Sequence, residues 1–150
     1  VCGWGGPLRR MKEFGNVLIE GDEKEKIVGK VYDVISTTGS WAKENSELVA
    51  KFLKVTNDMN DKFNSGGEGE MIGAIAKMAG QDEATAKAIM TTGMKFISSE
   101  QSLSDGWMGG FLVENFNAAG AKLAEGGTVK ALPSYEGAVN SSYLKAAAGM

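Results

Sequence analysis

Apolar and polar positions along the chain change period at about residue 40, and most of the predicted architecture follows from that change. Before it, Asn16–Glu20 (NVLIE) and Val31–Ile35 (VYDVI) are short apolar runs rich in β-branched residues. Each is bounded by turn or polar residues, the pattern of a strand. Leu8–Phe14 is helix-compatible and stops at Gly15, and the charged run Asp22–Lys30 reads as a solvated loop or a single helical turn. After residue 40 the period becomes helical. Ser40 is placed to cap a turn beginning at Trp41, and Ser46 to cap the next helix. Leu48, Val49, Phe52, Val55, Met59 and Phe63 recur every three or four residues and predict one inward stripe on a helix reaching about Asn64.

Glycines then punctuate a series of helices. Ser65-Gly66-Gly67 closes the first, and Met71, Ile72, Ile75 and Met78 form the stripe of a second that stops at Gly80. Asp82 is the expected cap of a short helix carrying Ala86, Ile89 and Met90, stopped by Gly93. Ser98 and Gln101 have capping-box spacing. Phe111–Glu125 is the next long helix, with Leu112, Val113, Phe116 and Leu123 inward, and the chain finishes in a loop and a last helix near Leu144. A few strands followed by many helices predict an α/β chain, helix-rich and poor in strands.

Composition narrows the chemistry. The 150 residues carry a net charge of −3, an acidic balance that does not suit a nucleic-acid partner. Histidine is absent and Cys2 is the single cysteine. That removes histidine-based triads, His-ligated zinc and any intrachain disulfide. Gly29-Lys30 is followed by Val31, so no P-loop is present, and no G-x-S-x-G occurs. No enzyme motif is found. The apolar opening Val1–Gly6, without a starting methionine or leader pattern, reads as the continuation of an upstream segment.

One stretch carries more information than the rest. Tyr32-Asp33, then Trp41-Ala42-Lys43-Glu44 and Glu47-Leu48-Val49, resemble in their order the return crossover of the taurine and alkanesulfonate solute-binding proteins of bacterial ABC importers. Trp4, in the segment Trp4–Met11, resembles that family's tryptophan-centred turn. Ala121-Lys122-Leu123, Gly127-Thr128-Val129, Tyr135, Val139 and Tyr143 resemble its carboxy-terminal signature. Ser46 stands where the family usually has proline, and Gly5 where many members have a bulkier or acidic residue.

The resemblance implies the C-terminal half of a two-lobed type II periplasmic-binding-protein fold. Residues 1–30 would end the second lobe, 31–40 would form the return crossover and hinge, and 41–150 would pack helices on a missing N-terminal lobe. It implies an exported, periplasmic receptor that captures taurine or another small organic anion by lobe closure and hands it to an ABC permease. The ligand-binding candidates are Trp4 as a cleft wall, Gly5 beside it, Asp33 as counter-charge to an ammonium group, and Tyr32 at the hinge. Two alternatives belong to other classes. One is an enzyme on the same fold, a sulfinate hydrolase or pyrimidine-precursor synthase using Cys2. The other is a stand-alone helical interaction module. Isolated, such a half-protein would be expected to hide its open interface by forming a homodimer.

Overall fold

In the computed structural model, which describes residues 5–150 (with only the backbone of 21, 22 and 28), every regular element is helical. Among the described residues there is no strand and no sheet, and this overturns the α/β, two-lobed fold expected from the sequence. Residues 16–20 and 31–35, both expected as strands, belong to no regular element and join no ladder, and the chain bends at Ile19. β-Branched composition favours extended backbone, but a ladder needs a second segment in register, and short unaccompanied strands are not stable. The apolar side chains of these runs stay in solvent: Leu18 is 91% exposed and Val31 74%.

The chain groups into two compact units. One unites Val1–Thr38, as far as it is described, with Gly69–Lys95, and the other unites Gly39–Glu68 with Phe96–Met150. In the first unit, α1 (Gly5–Met11) and α2 (Gly21–Val28) precede the non-helical segment 29–38. The Asp22–Lys30 run is thus two turns of helix rather than a loop or a single turn. Its end is set by Gly29, whose φ of 79° suits glycine and whose N–H donates to the Glu25 carbonyl. Next come α5 (Glu68–Ala79), all but its first residue in this unit, and α6 (Glu83–Ala88), which continues into a π-helical turn, Ile89–Gly93. Ile72 and Ala76 of α5 and Ala86 of α6 are the buried residues here. The inward row of α5 is therefore 71/72/75/76, and Met78, expected inward, is 88% exposed. A Schellman closure ends α5: Gly80 has φ 63° and the Gln81 N–H donates to the Ala76 carbonyl at 3.0 Å.

The second unit is built around α4 (Ser46–Lys62), preceded by α3 (Gly39–Glu44) and followed by a π-helical turn, Phe63–Gly67, kinked at Gly66 (φ 95°). The N-cap of α4 is Asn45, not Ser46, which is the first helical residue. The Asn45 side-chain amide donates 2.9 Å back to the Trp41 carbonyl, tying the last turn of α3 to the start of α4. Also in this unit are α7 (Ser99–Leu103), α8 (Phe111–Glu125), a 3-10 turn at Glu136–Ala138 and α9 (Ser142–Ala148). Helix α9 packs on both α4 and α7 and buries Leu144. Phe63 meets Phe96 edge-on at 5.2 Å, and the Asn64 amide donates to the Phe96 carbonyl at 3.0 Å.

Which face of α4 is covered differs from the expectation. The half-buried positions are Val49, Ala50, Leu53, Thr56, Asn57 and Asn60, with Phe63 just beyond the helix. Leu48, Phe52, Val55 and Met59 are 55%, 57%, 61% and 43% exposed. At 3.6 residues per turn the packed row lies about 100° round the helix from the open one. Val49 and Phe63 thus belong to the packed row, and four of the six residues expected inward face out. The packed row is partly polar, and the Asn57 side-chain nitrogen is buried without a partner.

On α8, Leu112 is buried as expected, whereas Leu123 is exposed and Gly120 is buried. Gly120 forms a notch that receives the Tyr135 ring: a Cβ there would stand 2.7 Å from both Cε2 and Cζ of the ring. The Tyr135 N–H donates to Asn117 Oδ1 at 3.1 Å and secures the same loop. Gly120→Ala is therefore expected to expel the ring, with a loss of about 1–3 kcal/mol that outweighs the ~1 kcal/mol helix gain of alanine over glycine. Gly126→Ala, with nothing nearer than 3.6 Å, is expected to be close to neutral. Urea unfolding followed by circular dichroism checks both. Adding Gly120→Ala to Tyr135→Ala should cost nothing further.

Candidate functional site

Of the ligand-binding candidates, Gly5, Tyr32 and Asp33 lie in the first unit. Trp4 lies outside the described residues. Gly5 opens α1 with φ 60°, a conformation that favours glycine, and no atom comes within 4 Å of where its Cβ would be. Tyr32 and Asp33 lie on the non-helical segment between Gly29 and α3. Tyr32 is half-buried, and this burial pushes its hydroxyl above the ordinary tyrosine range. Asp33 is exposed, as are Val34, Ile35, Ser36, Thr37 and Thr38 beyond it. The segment is thus a solvent-facing strip with one inward anchor, Tyr32.

That geometry bears on what Asp33 can do. A carboxylate in water attracts an ammonium group weakly, and the same pair gains strength only when a second surface excludes solvent. The hydroxyls of Ser36, Thr37 and Thr38 are donors suited to a sulfonate, and they too face solvent. A cover over this strip is what would turn it into a binding site.

A separate shallow depression of about 400 Å³ sits where α3 meets α4, lined by Glu44, Asn45, Ser46, Glu47, Leu48 and Lys51. Two carboxylates and one ammonium group line it, a balance that repels a sulfonate. Among the described residues, no group of three or more His, Cys, Asp or Glu side chains is placed to hold a metal ion, and no helix is long and apolar enough to cross a membrane.

A linked polar arrangement lies in the first unit. Asp82 caps α6 by accepting from the Thr85 N–H at 2.8 Å and the Thr85 hydroxyl at 2.7 Å. Arg9 of α1 donates to the same hydroxyl oxygen at 3.1 Å. The sequence marks the cap, but it carries no signal for Arg9, 76 positions away from Thr85. The arrangement is exposed and structural: it joins α1 to α6. Chiefly the Thr85 N–H, then its hydroxyl, holds the Asp82 carboxyl below its ordinary value, with a smaller share from the Arg9 charge.

Comparison with protein-family models, with curated proteins and with solved structures returned no match.

A pH dependence follows from Asp82. Its folded-state pKa is below the ordinary 3.8, so its contribution is complete above that value and is lost as pH falls through the lowered one. The Thr85 amide resonance and its exchange protection are expected to follow this titration. Asp82→Asn, which keeps the acceptor and removes the charge, should abolish the pH response while leaving α6 capped.

Proposed function

We propose that this chain is part of a solute-binding component of an ABC importer, which captures a small organic anion such as taurine or another alkanesulfonate without chemical conversion. One observation carries the reading. The chain passes between the two compact units at Thr38/Gly39, Glu68/Gly69 and Lys95/Phe96, and the first of these passages falls inside the segment 31–40 that the resemblance marks as a crossover. A hinge belongs where few residues link two bodies, and residues 33–38 of this segment are solvent-facing and outside any helix.

In this reading the strip from Tyr32 to Thr38 is one side of the ligand site. Tyr32 anchors it, Asp33 supplies the counter-charge for the amine of taurine, and the hydroxyls of Ser36, Thr37 and Thr38 donate to the sulfonate. Trp4 and Gly5 form a wall. A companion body supplies the remaining donors and excludes water, and its closure over the anion is driven by contacts made only in the closed state. The receptor works in the periplasm and presents the closed state to its permease. A second reading, a helical association module, is favoured by a separate observation: the open apolar row on α4.

Thermal unfolding of the full-length polypeptide carrying this chain tests the proposal. Taurine is expected to raise the midpoint and isethionate, which lacks the amine, to raise it less. At a hundredfold excess over its dissociation constant, a ligand adds about 2.7 kcal/mol. Asp33→Ala should erase the difference between the two sulfonates. No stabilisation by any sulfonate would overturn the receptor reading.

A further inference from the structure

The open row of α4 is more than an uncovered face: it has the spacing of a helix-pairing seam. Leu48, Phe52, Val55 and Met59 are separated by four, three and four residues, the alternation of a and d positions in a heptad repeat. With Phe52 and Met59 at a and Leu48 and Val55 at d, the flanking g positions fall on Lys51 and Asp58. On the other side, the e positions Val49 and Thr56 belong to the row packed within the unit, which includes α9. A partner helix on the seam would sit about 100° round α4 from that row, near the right-angle spacing of neighbours in a helical bundle.

From this pattern we infer that the α4 seam binds the same seam of a second copy of this chain, with the two helices antiparallel. The charges choose the partner and the direction. In an antiparallel pair the a and d layers match as Phe52 with Val55 of the second copy and Met59 with Leu48 of it. The g positions then face each other, so Lys51 meets Asp58 of the second copy, and the twofold repeats the pair. In a parallel pair the g positions would face Thr56 and Phe63, and no charge would be matched.

Each of these charged groups also has a partner on its own helix: Lys51 lies 4.0 Å from Glu47, and Lys54 lies 2.8 Å from Asp58. Both pairs are exposed and weak, and a carboxylate has acceptor sites for a second donor. The intermolecular pairs add to them. This inference is independent of the receptor reading and concerns a different surface from the strip at 32–38.

Sedimentation equilibrium of the 150-residue chain, with cross-linking in a Cys2→Ser background, tests it. A dimer is expected at micromolar concentration. A mixture of Phe52→Cys and Val55→Cys chains should form the mixed disulfide in preference to either like pair. Lys51→Asp and Asp58→Lys should each raise the dissociation constant about tenfold or more, the scale of two mismatched charge pairs, and the double exchange should restore it. Circular dichroism verifies that α4 stays helical in every variant. A monomer across the range would overturn the inference, since the row would then be left open or be covered from within the chain. A dimer that cross-links through like positions, or one indifferent to the charge exchange, would overturn it equally. Taurine binding by the full-length polypeptide reports on the receptor reading separately.

Discussion

The structure depends on how little of α4 is covered. A seventeen-residue helix has two adjacent rows able to pack, and this unit fills only one, around α9 and the loop that returns through Phe96. The filled row is the less apolar of the two, with Thr56, Asn57 and Asn60 among its members. The more apolar row, Leu48 to Met59, is left to solvent. Large apolar side chains are also exposed on the non-helical segment before α3, Val31, Val34 and Ile35. Among the described residues the buried hydrophobic core is correspondingly thin: Ala42, Ile72, Ala76, Ala86, Leu112 and Leu144. Three of these are alanines, which contribute little transfer free energy each. Polar ties and caps therefore carry an unusual share of the organisation.

This balance links local structure to function. Where hydrophobic burial is sparse, order comes from local devices that need few residues. Asp82 and Ser98 cap their helices, Gly80 closes α5 and Gly29 closes α2. Asn45 joins α3 to α4, and Gly120 holds the Tyr135 ring. These devices fix individual helices without closing the surface over them. What they leave exposed includes the Leu48, Phe52, Val55 and Met59 row of α4 and, separately, Val31, Val34 and Ile35, and exposed apolar surface of this kind favours association.

Local signals were legible in the sequence and long-range ones were not. The Asp82 and Ser98 caps, the Gly80 and Gly126 stops, and the long helices after residue 40 can be read from a few neighbouring residues. The strands were misread because NVLIE and VYDVI specify extended backbone, whereas pairing depends on a second segment. The Asp22–Lys30 run hid a helix because its charge gives no apolar stripe. On α4, hydrophobicity identified a stripe correctly, but it could not say which row a neighbour covers. Gly120 with Tyr135, and Arg9 with Thr85, are contacts between distant positions that no local pattern announces. Of the binding candidates, Tyr32 is the one the structure anchors, Asp33 faces solvent, Gly5 has open space, and Trp4 lies outside the described residues.

The account turns on the two rows of α4, and cysteine labelling kinetics address it most directly. Single cysteines at positions 52 and 53, placed in a Cys2→Ser background and labelled at high dilution, differ by one residue and about 100° of helix rotation. The account expects Phe52→Cys to react at nearly the rate of an unfolded peptide, and Leu53→Cys to react far more slowly. It also expects the rate at position 52 to fall as protein concentration rises. Protection at position 52 with rapid labelling at position 53 would contradict it, because α4 would then be packed by its apolar row.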